Sequence, residues 1–380
     1  MESVIVNILL FILVIGTLTF VHELGHFVAA KIVGAKVFEF ALGFGPQLIS
    51  KKFKGTQYSI RLFPLGGYVK ILGDGDPGKE DSKSNPKGNL SKKPKVQQIF
   101  VMLAGVTMNI FLAILFYYIV LGASGWKLVI GSEFEKFDAI GGELYRERIG
   151  DVEYLEVLDG GGAQKAGIPE KGKIVSIQGQ DIKNSDEVGL LLWENRGQNV
   201  SMDICVDQEC KEYLVGVSPE GKVGISLPSN YLVILSYEDN RLIAGPVHLV
   251  NTLRLIWIKF GEIINKAQDT GDYTELSNSV SGPVGIYFVI DYFKDFGLIP
   301  FLSIIADLSL SLAIVNLLPI PALDGGRVFI LTIEGLLRKN LDERVEALII
   351  NISFGLLIVL IVFVIIKDIV NIESLKNMFM

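Results

Sequence analysis

The chain has 380 residues, of which 50% are hydrophobic and 20% charged, with a formal net charge of -7. That length leaves room for two or three domains at about 100–200 residues each, and so apolar a composition with this many charges means that the apolar residues are bunched rather than spread as in an ordinary soluble enzyme. The negative balance speaks against nucleic acid as a partner, because a phosphate backbone calls for a basic surface.

The first apolar run, Val4 to Val21, is close to the roughly 20 residues a helix needs to cross about 30 Å of hydrocarbon. It lacks the basic leader and small-residue cleavage site of a signal peptide and runs straight into His22, so it reads as a mature helix. Its end carries HELGH, His22 to His26. Four residues are close to one helical turn, so both imidazoles share a face and can grip one ion. Glu23 sits where it can reach a metal-bound water without being a ligand, the arrangement of a metalloprotease base. The bland alternative is two histidines on the polar face of an ordinary helix. Ionisable residues at the end of a bilayer-spanning helix are costly to place there, which favours function.

From Lys31 to Lys95 there are thirteen Lys or Arg against five Asp or Glu, and short basic loops stay in the cytoplasm. Within it, alternating pieces between Val37 and Leu72 are separated by GFGP, KG and PLGG, which predicts a small β-sheet. An open sheet edge cannot face lipid, so this sheet belongs at the membrane surface or in a protein-walled cavity. Asp74 to Lys95 is rich in Gly, Pro, Ser and charge and reads as a mobile cytoplasmic loop.

A second span is expected over Ile99 to Leu121. The acidic segment after it, about Trp126 to Ser229, has short β-patterned runs around a helix-like piece at Ser185 to Asn195 and reads as an α+β module outside the cell. Cys205 and Cys210 fall there; an oxidising compartment would allow a bridge, and the pair lacks the further thiols or imidazoles of a zinc site. Arg241 to Asn265 intersperses charged residues among apolar ones at helical spacing and reads as an amphipathic helix lying on the membrane, the alternatives being a fifth span or a packed soluble helix. Leu298 to Pro319 and Ala347 to Ile366 complete four spans, which puts both termini outside.

Catalytic zinc takes three protein ligands and leaves one position for water. The third histidine, His248, lies on the amphipathic segment, and a metzincin extension would need Gly and His where Ala29 and Ile32 stand. The missing ligand is then a carboxylate, for which Asp324 in NLLPIPALDGGR is the candidate. Pro319, Pro321, Gly325 and Gly326 would break the helix around it and let the chain come close to a metal; the alternative is a turn aspartate at a helix start. Asn316, eight residues earlier, could hold a peptide carbonyl or the oxyanion formed from it, or could bond between helices. Asn109 and Asp307 read as structural polar groups within the spans.

HELGH, GFGP at Gly43 to Pro46, GGYVK at Gly66 to Lys70, SGPVG at Ser281 to Gly285 and NLLPIPALDGG at Asn316 to Gly326 together resemble a bacterial site-2 protease of the RseP type. The acidic module resembles that family's PDZ domain through GGGAQKAGIPEKGKIVSIQGQDI at Gly160 to Ile182. One departure is LAGVTMN, with Val106 where the family commonly has Pro. The resemblance implies an α-helical membrane protein with four transmembrane helices, a small membrane-associated β-sheet and an inserted α+β PDZ-like domain. It implies zinc held by His22, His26 and Asp324, water activated by Glu23, and substrate positioned by Asn316 and by the sheet edge at Gly66, Gly67 and Tyr68. Its substrates would be single-span membrane proteins such as anti-sigma factors or leftover signal peptides, trimmed first by a site-1-type protease, in the plasma membrane, with the active site near the cytoplasmic side. The expected parts are residues 1–125, with the HELGH helix, sheet and second span; 126–230, the PDZ-like domain; 231–297, amphipathic membrane-surface helices; and 298–380, the C-terminal membrane part. Two rivals are a non-catalytic PDZ-containing receptor with a structural metal, which has no need of Glu23, and a metal transporter, whose ligands would line a path rather than cluster at one depth.

Overall fold

The computed structural model describes residues 2–73, 88–207 and 209–373. The segment 74–87, most of the expected cytoplasmic loop, lies outside them. The chain forms two compact units, one of residues 1–123 and 245–380, the other of Ser124–Ala244.

The first unit starts with helix α1 (Glu2–Ile32), followed by strands β1 (Val37–Phe53) and β2 (Thr56–Ile71) and helix α2 (Lys95–Ala123). The two strands fold back on themselves. Val37–Leu42 pairs with Gly67–Ile71 on one side and with Gln57–Ile60 on the other, while Gln47–Phe53 pairs with Thr56–Arg61. Two long strands thus make a four-segment sheet with Gly67–Ile71 along one edge, its outer pairings antiparallel and its central one, Glu39–Leu42 with Gln57–Ile60, in parallel register. The corners fall at Gly43, with φ 90°, and Gly66, with φ 130°, conformations that favour glycine. A β-carbon at Gly66 would also strike the Phe44 ring, which stacks on Tyr68. Glu39 ties the folded segments together: its carboxylate accepts from Ser59 Oγ at 2.5 Å, from Arg61 at 2.8 Å and from Tyr68 Oη at 2.8 Å. Partial burial works against the charge, but these three donors hold the carboxyl below the usual range.

The second unit follows in chain order: β3 (Lys127–Ile130), β4 (Glu143–Arg148), β5 (Glu153–Tyr154), β6 (Glu156–Val157), α3 (Gly162–Lys165), β7 (Gly172–Ile177), β8 (Gln180–Asp181), α4 (Ser185–Glu194), β9 (Asn199–Val206), β10 (Glu209–Gly216), β11 (Ile225–Ser226) and β12 (Tyr231–Ser236). Its sheets are β10-β9-β7-β5 with β8 paired to β7, β11-β6, and β3-β12-β4. Alternate residues of β9, Val200, Met202 and Ile204, are buried with Ile174, Ile177 and Val215 in one core, as a half-buried strand requires. Asn184 and Glu187 form the capping box that starts α4, and the Lys183 and Asn184 backbone N–H groups hold the Glu187 carboxyl low. Cys205 and Cys210 face each other across the β9–β10 hairpin and are joined by a disulfide. Strand β12 pairs with β3 and β4, so this unit continues past the expected edge at residue 230.

The first unit resumes with α5 (Ala244–Thr270), α6 (Thr274–Ser279), α7 (Pro283–Lys294), α8 (Leu298–Leu317), α9 (Asp324–Leu337) and α10 (Glu343–Val370). Among the described residues four helices are long and apolar enough to cross a membrane, at Ile5–Ile32, Lys95–Ala123, Leu298–Leu317 and Arg344–Val370. α5 leaves Ile256, Trp257 and Phe260 exposed, whereas α7 buries Phe288 and Ile290 and packs with Val14 and Leu18 of α1. Asp368 near the end of α10 accepts from Gly282 N at 2.9 Å and Gly285 N at 3.1 Å, capping α7. α2 and α8 share a core of Ala113, Tyr117, Ala306 and Leu310. Within it Ser309 Oγ donates to the Asn109 carbonyl at 2.8 Å and Tyr117 Oη donates to Asp307 at 2.6 Å.

The far end of α9 is tied to the start of α2 by Lys95 Nζ, 2.6 Å from the buried Glu334 carboxylate. Lys95→Met strands that carboxylate and is expected to lower stability by roughly 3 kcal/mol, read as an earlier thermal unfolding midpoint in detergent; an unchanged midpoint would show that the pair does not hold α9 in place.

Candidate metal centre

Helical spacing brings His22 and His26 onto one face of α1, where both are buried and their Nε2 atoms lie 3.2 Å apart. Ring atoms can reach so deep only because α2 offers no side chain there. A β-carbon at Gly105 would sit 2.4 Å from His26 Nε2 and 2.8 Å from His22 Nε2, and one at Gly25 would sit 2.3 Å from the Ala104 carbonyl oxygen. The two helices therefore meet backbone to backbone, as small residues permit in a membrane.

Asp324 comes to the same point from the other end of the fold. After α8 ends at Leu317, the Pro319 and Pro321 segment turns the chain back into α9, whose first residue is Asp324. The turn is tight: a β-carbon at Gly325 would lie 2.2 Å from the Leu317 carbonyl oxygen, and one at Gly326 2.1 Å from that of Ile320. Asp324 Oδ2 then stands 3.0 Å from His22 Nε2 and 3.2 Å from His26 Nε2.

His22, His26 and Asp324 are the cluster of possible metal-holding side chains among the described residues. Donor atoms about 2.0–2.1 Å from a tetrahedral ion stand about 3.3 Å apart, which matches the 3.0–3.2 Å observed. Asp324 Oδ2 is buried and without a hydrogen bond among the described residues, as suits an atom reserved for a cation. Two imidazoles and one carboxylate are a zinc donor set with room for a fourth ligand. His26 Nδ1 lies 2.8 Å from the Val101 carbonyl oxygen and His22 Nδ1 lies 3.3 Å from the Asn109 amide.

Glu23 is half-buried on α1 outside this triad, and a β-carbon at Gly67 would stand 3.3 Å from its Cγ. The sheet edge that begins at Gly67 thus runs beside Glu23. Gly66 is buried, and Gly67 and Tyr68 are half-buried. Asn316 is half-buried in the last turn of α8. His248 packs its ring on Tyr117, 4.7 Å between centroids, and takes no part in the cluster. Asp307 bonds between helices, as expected, but Asn109 touches a candidate ligand. Sequence reasoning also passed over Gly105 and the Val101 carbonyl, although Val101, Gly105 and Asn109 recur at four-residue spacing along one face of α2.

Residues 10–360 match the sequence profile of peptidase family M50. A Clostridium acetobutylicum protein assigned as a zinc metalloprotease is 31% identical over 96% of this chain and 97% of its own length. The zinc metalloprotease RasP of Shouchella clausii is 29% identical over 97% of this chain and all of its own length. The regulator of sigma-W protease RasP of Bacillus subtilis is 27% identical over 96% and 98%. Purified chain is expected to carry one zinc, and His26→Ala or Asp324→Ala to lose it while Glu23→Gln keeps it, measured by elemental analysis; zinc retained by both ligand variants would refute this centre.

Proposed function

The chain belongs to peptidase family M50, the site-2 proteases, and is a zinc metalloendopeptidase of the membrane; we propose that it hydrolyses peptide bonds within the transmembrane segments of single-span proteins. The observation that carries this reading is the cluster of His22, His26 and Asp324 near the ends of apolar helices, with Glu23 next to His22 in the chain and beside the strand edge at Gly67. His22, His26 and Asp324 are the zinc ligands in this reading. Zinc, when bound, supplies Lewis acidity that makes water ionisable near neutral pH and draws charge from a carbonyl oxygen.

The chain's own residues do the rest. Glu23 takes the proton of the attacking water on a carboxylate oxygen and passes it to the departing amine. Asn316, on the helix that leads into Asp324, donates an amide N–H to the carbonyl of the bond to be cut. A helical substrate hides its peptide groups in its own hydrogen bonds, so it has to unwind first. The edge at Gly66, Gly67 and Tyr68 offers backbone partners to the unwound stretch as an added strand. Gly67 keeps that edge next to Glu23, because any side chain would also press on the Ala41 carbonyl, 2.8 Å from its β-carbon.

In the same reading the basic segment between the first two spans faces the cytoplasm and the acidic Ser124–Ala244 unit lies outside the plasma membrane as a PDZ-like filter against bulky ectodomains. Substrates already trimmed by another protease, such as anti-sigma factors or signal-peptide remnants, would pass it. The sigma-W role in the name of the Bacillus subtilis relative supports that class.

A tagged single-span substrate in detergent is expected to be cut inside its apolar stretch by the wild type, and at least ~10²-fold more slowly by Glu23→Gln. Gly67→Val is expected to bind zinc normally and cut poorly. Cleavage mapped outside the apolar stretch, or full activity in Glu23→Gln, would overturn the reading.

A further inference from the structure

Each imidazole of the metal centre has one nitrogen, Nε2, in the cluster and one, Nδ1, facing α2. For His26 the partner is the Val101 carbonyl oxygen at 2.8 Å. A carbonyl can only accept, so His26 Nδ1 carries the proton and Nε2 keeps the lone pair that a metal needs.

His22 has a different partner. Its Nδ1 lies 3.3 Å from the Asn109 side-chain amide nitrogen, while Asn109 Oδ1 is buried with no hydrogen bond among the described residues. Asn109 itself is fully buried, and its backbone carbonyl is held by Ser309 Oγ at 2.8 Å. With the amide N–H donating to Nδ1, the ring proton of a neutral imidazole would sit on Nε2 and block it. The two ends of an amide are almost the same shape and exchange by a half turn about the Cβ–Cγ bond. That half turn gives the orphaned oxygen a donor, His22 Nδ1–H, and frees Nε2.

We propose that Asn109 is the positioning residue of His22: its amide oxygen accepts Nδ1–H and so holds the ring in the tautomer that presents a bare Nε2 to zinc. This rests on His22, His26 and Asp324 being the zinc ligands. α2 then serves the centre at three positions spaced four residues apart, with the Val101 carbonyl for His26, Gly105 as clearance for both rings, and the Asn109 amide for His22. An amide can fill this role where a lysine or an aliphatic side chain cannot, since the role needs a fixed acceptor.

The test is zinc affinity of the purified full chain in detergent, by competition with a chromophoric chelator, with thermal melts of the metal-free proteins as the control for folding. Asn109→Leu keeps the volume and removes the acceptor, and is expected to weaken zinc binding by ~10–100-fold. Asn109→Asp keeps an acceptor and removes the donor; it should bind zinc at least as tightly as the wild type and preserve the visible spectrum of the cobalt-substituted protein. Wild-type affinity in Asn109→Leu, or an equal loss in Asn109→Asp, would overturn the proposal. His26→Ala separates the two layers: if it too binds zinc normally, the metal reading itself fails, and if it alone loses zinc, only the role of Asn109 does.

Discussion

The metal centre depends on two helix backbones meeting with nothing between them. In hydrocarbon there is no hydrophobic gain in bringing helices together, so close packing and polar contacts decide where they touch. At Gly25 and Gly105 the gap is too small for a methyl group. That closeness lets backbone and amide groups of α2 reach the outer nitrogens of rings that belong to α1. It also leaves the two Nε2 atoms side by side, at the point to which the turn after α8 brings Asp324. Glycine sets the geometry here, and the imidazoles and the carboxylate are the candidate ligands.

The folded hairpin solves a second problem of the same solvent. Backbone groups near lipid must find partners within the protein, and β1 and β2 do this by pairing with each other twice. The Glu39 carboxylate, reached by Ser59, Arg61 and Tyr68, clamps segments that lie far apart along the two strands. One outer segment of the sheet, the one that starts at Gly67, runs beside Glu23. A sheet locked this way keeps that edge in one place.

Much of this was legible in the residues because the signals are local. HELGH needs only the helical repeat to put two rings on one face, and the prolines and glycines around Asp324 announce a turn at the end of an apolar run. The four spans follow from length and composition alone. The contact of Asn109 with His22 joins residues 87 positions apart, and no spacing rule reaches that far, so Asn109 reads only as a polar group between helices. Strand β12 was hidden for another reason. YLVILS is a continuous apolar run with no alternation, because it lies between β3 and β4 and is buried nearly throughout, and it merges in the sequence with the helical pattern that follows. The Glu39 network likewise joins side chains from three separate strand segments.

The way the second unit closes has a bearing on how such chains can change length over time. Its first strand, β3, and its last, β12, are paired, with Lys127 opposite Ser236. The chain therefore enters and leaves this unit at neighbouring points, and the core between them is complete by itself. Material held on so narrow a stem can be exchanged, duplicated or dropped while the host polypeptide still needs to bridge only one small gap. Change within that unit can then proceed separately from change in the helical unit that carries it.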